Sequence, residues 1–325
     1  MRYKEIFVNI MPYQVNQKAY IYEGKLIYGQ FIQNRLTMTT ENSEYTVNIN
    51  VQTKFIFSTS GSASSIVKHN NAFKELKINL VYFTIATAVS AEEYAALLRS
   101  PISRGAAVTG RGGLKSTIIP FLDEVEPLAA KTRAVNTVVN KSGKLYGYNS
   151  DAVGLKSALI KGIETSGLEI KTAVIYGNGG VSGVAFHVLQ ELGIKATMAG
   201  RDPKRVAEKR RQLGIEQYPD FGGPYDLVVD ATPVSSEPDF LNSAGLSSLL
   251  DGCKMVFCHN MPEKDDKTNY LERYCQEKQL YFIPGKWMYN AQLAKQYRLL
   301  LEGYLKADGS PISEQDVMNT WKVEQ

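Results

Sequence analysis

The chain has 325 residues, 44% hydrophobic and 22% charged, with a formal net charge of +4. That length suggests domains of about 150 residues each, two in all, and the composition is that of a soluble globular protein. The slight charge, with no basic patch interleaved with aromatics, argues against a nucleic-acid partner; no apolar run is long enough to span a membrane. Arg2 and Lys4 are followed by Glu5 and not by an apolar core, so no signal peptide is expected. Cys253, Cys258 and Cys275 show no CxxC spacing, which fits reduced thiols in a cytoplasmic protein. His69, His187 and His259 are far apart in sequence, and no metal site is expected.

In chain order, residues 1–52 read as a small β-rich extension, with hairpins around Glu23-Gly24-Lys25 and Glu41–Glu44. Lys54–Phe57 reads as a buried strand, followed by a loop crowded with hydroxyls at Ser58–Ser65. A helix over Ile66–Leu76, a strand over Leu80–Thr84 and a helix over Ala91–Leu98 follow, the last with Ser90 as its cap. Ala106–Thr109 is a strand that enters Gly110-Arg111-Gly112-Gly113, then a helix through Leu122. Ala134–Val139 and Leu145–Tyr148 flank a hairpin turn, and Asp151 opens a helix to about Ile163. Met288–Tyr304 is a long final helix, and residues 306–325 read as a polar tail. Strands alternating with helices imply α/β architecture in both halves.

The richest stretch is Ala173–Arg201. An apolar strand, Ala173–Tyr176, meets Gly177, Asn178, Gly179, Gly180 and Val181, then an apolar-periodic helix that stops at Gly193, then a second strand, Ile194–Ala199. Gly177 permits the tight turn, Gly179 lets the backbone approach a pyrophosphate, and the helix N-terminus beyond offers N–H groups and a positive dipole end. The third glycine of GxGxxG would be position 182, which is Ser, with Gly183 beside it. At the end of the second strand Gly200 carries no carboxylate for a ribose 2′-OH, while Arg201, Lys204 and Arg205 can pair with a 2′-phosphate. NADP is therefore expected, with NAD the alternative. Asp202 turned inward would repel that phosphate, and Lys204 and Arg205 also fit a solvated first helical turn.

A family resemblance rests on several stretches in order. His69-Asn70-Asn71-Ala72-Phe73, Ala134-Val135-Asn136-Thr137, Gly147–Gly154, Gly177-Asn178-Gly179-Gly180, Asp230-Ala231-Thr232-Pro233-Val234 and Gly285–Gln292 resemble the HNAAF, AVNT, GYNTDGxG, GxGG, NATPVG and GxxMLxxQ segments of the shikimate dehydrogenase family. The similarity runs over about residues 53–305. It implies an N-terminal α/β substrate-binding domain over 53–150, with the final helix 286–305 returning to it, and a C-terminal Rossmann dinucleotide-binding domain over 151–285. The implied activity is reversible, NADP-dependent reduction of 3-dehydroshikimate to shikimate, a step toward chorismate and the aromatic amino acids. Quinate or another cyclic hydroxy acid is the alternative substrate, and a catalytically weak binding homologue the alternative role. The small cyclic acid is the only expected partner of a monomer or homodimer.

Carried over by position, the resemblance makes Lys115 and Asp151 the catalytic pair and Thr109, Asn136 and Gln292 substrate-binding residues. It makes Gly177, Asn178, Gly179, Gly180, Val181, Gly200, Arg201, Thr232, Pro233, Gly285 and Met288 cofactor-binding residues. The family's SxSP serines map to Ser62 and Ser64, or in another register to Ala63 and Ser65, and neither register has the proline. The linker before Lys115, Gly110–Leu114, is longer than the family's VTIPHK-type strand end, and Arg133 replaces the glycine before AVNT. Reduction of a ketone builds negative charge on its oxygen, which a positioned donor must neutralise. A lysine facing an aspartate across a cleft can do this without a metal. Alone, Lys115 reads as a first-turn helix lysine and Asp151 as a helix N-cap.

Overall fold

The computed structural model describes residues 18–19, 28–32, 35–40, 43–59, 63–85, 89–109, 113–215, 222–237, 239–242, 245–260, 269–306 and 308–320. In chain order the strands and helices begin with β1 (Lys18–Ala19), β2 (Tyr28–Ile32), β3 (Arg35–Thr40), β4 (Ser43–Asn48), β5 (Lys54–Ser58), α1 (Ala63–Glu75), β6 (Leu80–Thr84), α2 (Ala91–Leu98) and β7 (Ser103–Ala107). Then come α3 (Leu114–Thr117), β8 (Glu124–Val125), α4 (Pro127–Thr132), β9 (Thr137–Lys141), β10 (Lys144–Tyr148) and α5 (Ser150–Ser166). The rest is β11 (Thr172–Tyr176), α6 (Gly180–Glu191), β12 (Lys195–Ala199), α7 (Pro203–Gln212), β13 (Leu227–Asp230), α8 (Leu246–Leu250), β14 (Met255–Cys258), α9 (Tyr270–Glu277), β15 (Tyr281–Pro284), α10 (Gly285–Leu300) and α11 (Glu314–Thr320).

The chain divides into two compact units. One comprises Met1–Val125, Val135–Gly147 and Tyr297–Gln325; the other comprises Glu126–Ala134 and Tyr148–Gln296. In the first unit β1–β4 form an antiparallel meander, the β-rich extension expected from the sequence. The main sheet has the order β6-β5-β7-β9-β10-β8. It is parallel at β5–β6, β5–β7 and β8–β10 but antiparallel where β7 meets β9. That pairing brings Gly105 so close to β9 that a Cβ there would stand 2.1 Å from Val138 O. α2 opens with a reciprocal cap, in which the Glu93 N–H donates to Ser90 Oγ and the Ser90 N–H to the Glu93 carboxylate.

The second unit is a parallel sheet of order β12-β11-β13-β14-β15 with helices packed on it. Strand β11, between β12 and β13, is buried from Ala173 to Tyr176, which explains the unbroken apolar run in the sequence. One core cluster joins this sheet to α5 and α6 through Leu155, Leu159, Val184, Val188 and Leu189. The other face carries Val228, Val256, Leu271 and the three buried thiols Cys253, Cys258 and Cys275.

Three elements differ from the sequence expectation. The helix after the 110–113 glycines stops at Thr117, because Pro120 has no N–H for a continuing ladder and the chain turns at Ile119–Phe121. The final helix begins at Gly285 and ends at Leu300, where Arg104 Nε donates to Leu300 O at 2.5 Å and its guanidinium also to Glu302 O at 2.6 Å. The polar tail contains α11, which packs on α1 with Val317 only 1% exposed. Among the described residues no helix is long and apolar enough to cross a membrane.

Candidate functional site

In the second unit the chain leaves β11 at Gly177 with φ of +123°, a left-handed value that favours glycine. A Cβ there would stand 2.8 Å from Thr232 Cγ2 and 3.3 Å from Ala231 O. The Gly177 N–H donates to Ala199 O at 2.8 Å, tying the turn to the end of β12. Gly179 is the N-cap residue of α6 and contributes no side-chain cap. A Cβ at Gly179 or Gly180 would meet nothing within 4 Å. The first-turn N–H groups of a 12-residue helix therefore face an open cradle, which is the chemistry of an anion site. Ser182 fills the third glycine's place without strain: it is fully buried and its hydroxyl donates to Gly179 O at 2.6 Å. Asn178 and Val181 are half-buried.

Gly200 lies beside this turn, its missing Cβ 3.8 Å from Gly177 N and 3.1 Å from Val206. Arg201 is exposed. Asp202 turns to its own helix: Oδ1 accepts from Lys204 N at 3.0 Å and Arg205 N at 3.2 Å, and Oδ2 pairs with Arg205 Nε at 3.5 Å. Its carboxylate is thus spent on capping α7, and so is part of the charge of Arg205. Thr232 and Pro233 form the turn after β13. Gly285 joins β15 directly to α10, because only a residue without a side chain fits 2.6 Å from His259 O and 2.7 Å from Cys258 O. Met288 is 2% exposed and lies in the core.

Also in the second unit, α5 and α10 cross at Gly154, where a Cβ would stand 2.4 Å from Met288 O and 2.7 Å from Gln292 Cβ. This crossing sets Gln292 against α5 one turn from Asp151. Asp151 is 6% exposed and lies inside the first turn of α5; the N-cap position belongs to Asn149. The Asn149 amide donates to Thr132 Oγ1 at 3.1 Å and to Ala134 O at 3.0 Å, tying α5 to α4. Arg133, which the family resemblance sets in the place of a glycine, ends α4 with φ of +52°.

In the first unit Lys115 is half-buried on α3. Its carbonyl accepts from Val135 N at 2.8 Å, and Asn136 O accepts from Val108 N at 2.8 Å. These bonds gather Lys115, Asn136 and the end of β7 into one cluster. Asn136 is 2% exposed and its Oδ1 accepts from Thr137 Oγ1 at 2.9 Å. Thr109 N donates to Thr59 Oγ1 at 3.2 Å, and the two hydroxyls lie 3.0 Å apart. Thr59 had no part in the sequence expectation; its position at the end of β5, in the hydroxyl-rich loop, was the available signal. Ser62 and Arg111 lie outside the described residues, and Ser64 is placed only as part of α1. Asp230 was also missed. It is fully buried at the end of β13, and burial pushes its carboxyl up to about 6 against hydrogen bonds from Thr232 and Cys258.

Comparison with known proteins gives these clusters a common context. Residues 60–138 match the family model of the shikimate dehydrogenase substrate binding domain. A shikimate dehydrogenase (NADP(+)) of Bacillus cereus (strain G9842) is 33% identical over 190 residues, covering 55% of this chain and 67% of that protein. The same enzyme of Bacillus anthracis is 32% identical over 193 residues with the same coverage. Among solved structures, a shikimate 5-dehydrogenase-like protein aligns with a TM-score of 0.64 at 24% identity, over 85% of this chain and 98% of its own. The shikimate 5-dehydrogenase of Thermus thermophilus in complex with NADP(H) and shikimate aligns with a TM-score of 0.63 at 23% identity, over 83% and 98%. At those identities the structures show a shared fold. With the sequence relatives, they establish that this chain belongs to the shikimate dehydrogenase family.

Proposed function

We propose that this protein is an NADP-dependent oxidoreductase that reversibly reduces 3-dehydroshikimate to shikimate. The observation that carries the proposal is the open cradle at Gly179 and Gly180, at the uncapped N-terminus of α6. It fits a pyrophosphate, and Arg201 beside Gly200 fits a 2′-phosphate. The engagement of Asp202 with α7 supports NADP over NAD, since that carboxylate is turned to its own helix. Bound there, the dinucleotide supplies the hydride.

The residues of the chain then have separate tasks. Lys115 donates to the substrate carbonyl oxygen and delivers the proton that converts it to a hydroxyl; in the oxidising direction it takes that proton back. Asp151, held rigidly in the first turn of α5, accepts a hydrogen bond from a substrate hydroxyl and fixes its orientation. Asn136 and Gln292 add neutral hydrogen bonds, and Thr109 with Thr59 lines the carboxylate side.

The test is absorbance at the reduced-nicotinamide band with NADP+ or NAD+ and shikimate or quinate. Turnover should be fastest with shikimate and NADP+. Absence of turnover with every combination overturns the reading; turnover with quinate alone moves it to a different cyclic acid.

A further inference from the structure

A buried polar chain links the ends of β13 and β14. Asp230 has no exposed surface. Its Oδ1 accepts from the Thr232 N–H at 3.0 Å and from the Thr232 hydroxyl at 2.5 Å. Its Oδ2 lies 3.8 Å from the Cys258 thiol. That thiol is also 3.2 Å from Ser235 Oγ, which accepts from Asn260 Nδ2 at 3.1 Å. The carboxylate thus stiffens the turn Ala231-Thr232-Pro233 in the manner of an Asx turn.

Thr232 in turn meets the glycine turn. The space that Gly177 leaves for want of a Cβ is the space that the Thr232 methyl occupies, at 2.8 Å from where a Cβ would be. Ala231 N also donates to Tyr176 O at 2.9 Å, one residue before Gly177. Ligands of open α/β sheets bind at this edge, outside the carboxyl ends of the strands. The hydrogen-bonding task needs only the shape of an amide, and the NATPVG strand end that this stretch resembles has Asn. This chain has a carboxyl group instead. The titratable groups that face it are Tyr176 on β11 and the Cys258 thiol on β14. Burial raises both, the thiol to about 12, so both are neutral near pH 7. Asp230 makes no ion pair among the described residues.

Resting on the dinucleotide reading above, we infer that Asp230 is a positioning residue for the cofactor: its carboxylate holds Thr232 against Gly177, and its buried negative charge works against the anionic ligand that the glycine turn receives. The two effects have opposite signs and separate cleanly in two variants. Asp230→Ala releases the turn and weakens NADP+ binding by about tenfold. Asp230→Asn keeps the acceptor for Thr232 and removes the charge, so NADP+ binds about threefold tighter than to the wild type at pH 8. Burial holds the Asp230 carboxyl near 6, so the difference between wild type and Asp230→Asn closes as the pH falls below that value.

The experiment is calorimetric titration of NADP+ into the three full-length proteins at pH 8 and pH 5.5, at matched ionic strength, with thermal unfolding alongside. A residue that only stabilises the fold would shift the unfolding temperature and leave the Kd of the folded protein unchanged. Tighter binding by Asp230→Asn at pH 8 that vanishes at pH 5.5 supports the inference, and this arm stands even if Asp230→Ala fails to fold. Equal affinity of the wild type and Asp230→Asn at pH 8, with the wild type binding, overturns it alone. A wild type that binds neither NADP+ nor NAD+ overturns the dinucleotide reading as well.

Discussion

The turn after β11 and the cluster after β7 both lie at the C-terminal ends of strands, and they are built differently. After β11 the determinants are backbone: a left-handed Gly177, two glycines open to ligand and an uncapped helix end, all within consecutive residues. After β7 they are side chains and carbonyls drawn from three places, Thr59 at the end of β5, Lys115 on a four-residue helix and Asn136 before β9. A backbone cradle works with any neighbours that keep the chain close, so it survives as a readable motif. A cluster of separate side chains admits insertion between its members, provided the cross-links hold.

The most forceful way to break this contrast is Lys115→Ala. Turnover should fall by about 10²- to 10⁴-fold with NADP+ affinity unchanged, measured by steady-state kinetics and direct titration. A variant that retains full kcat would show that the first unit does not carry the proton chemistry.

The next effect is in stability. The Asp230 carboxyl titrates near 6 in the folded protein against an ordinary 3.8. Between those values the folded chain holds a proton that the unfolded chain has lost, so stability present below 3.8 is lost as the pH rises through 6. A shift of that size corresponds to about 3 kcal/mol. Asp230→Asn should therefore match the wild type near pH 4 and exceed it at pH 8 by up to about 3 kcal/mol in urea unfolding.

Gly154→Ala places a Cβ against backbone on α10 and forces the two helices apart, at a cost of about 1–3 kcal/mol. Because Gln292 sits on the displaced helix, the KM for the cyclic acid should rise more than that for NADP+. A KM change confined to NADP+ would reassign Gln292. The smallest effect is at Arg133, whose φ of +52° suits a glycine. Arg133→Gly should relieve strain of about 1 kcal/mol, visible as a modest rise in unfolding temperature. A fall in substrate affinity in the same variant would show that the arginine is kept for its charge.

Much of this organisation was open to reading without coordinates. The apolar runs that became β6, β11 and β12 stood out because strands buried on both faces have no alternation to blur them. α2 was legible down to its cap, since Ser90 and Glu93 are neighbours in sequence. The turn at Gly177 and Gly179 was legible because it is a local motif of consecutive residues. The end of α10 was not, because it depends on Arg104 reaching the last carbonyls from β7. Nor was α11, whose single buried anchor, Val317, has meaning only against α1.

The sequence by itself therefore determined the alternation of strands and helices, the place of the glycine turn and the family to which the chain belongs. These follow from local hydrophobic periodicity and from backbone conformations that a few residue types allow. Only the tertiary structure decided that Asp202 spends its carboxylate on α7, that Asp151 lies within the first turn of α5 and leaves the cap to Asn149, and that Asp230 braces Thr232 against Gly177. In each case a side chain has several possible partners along the chain, and packing alone selects which one is within hydrogen-bonding reach.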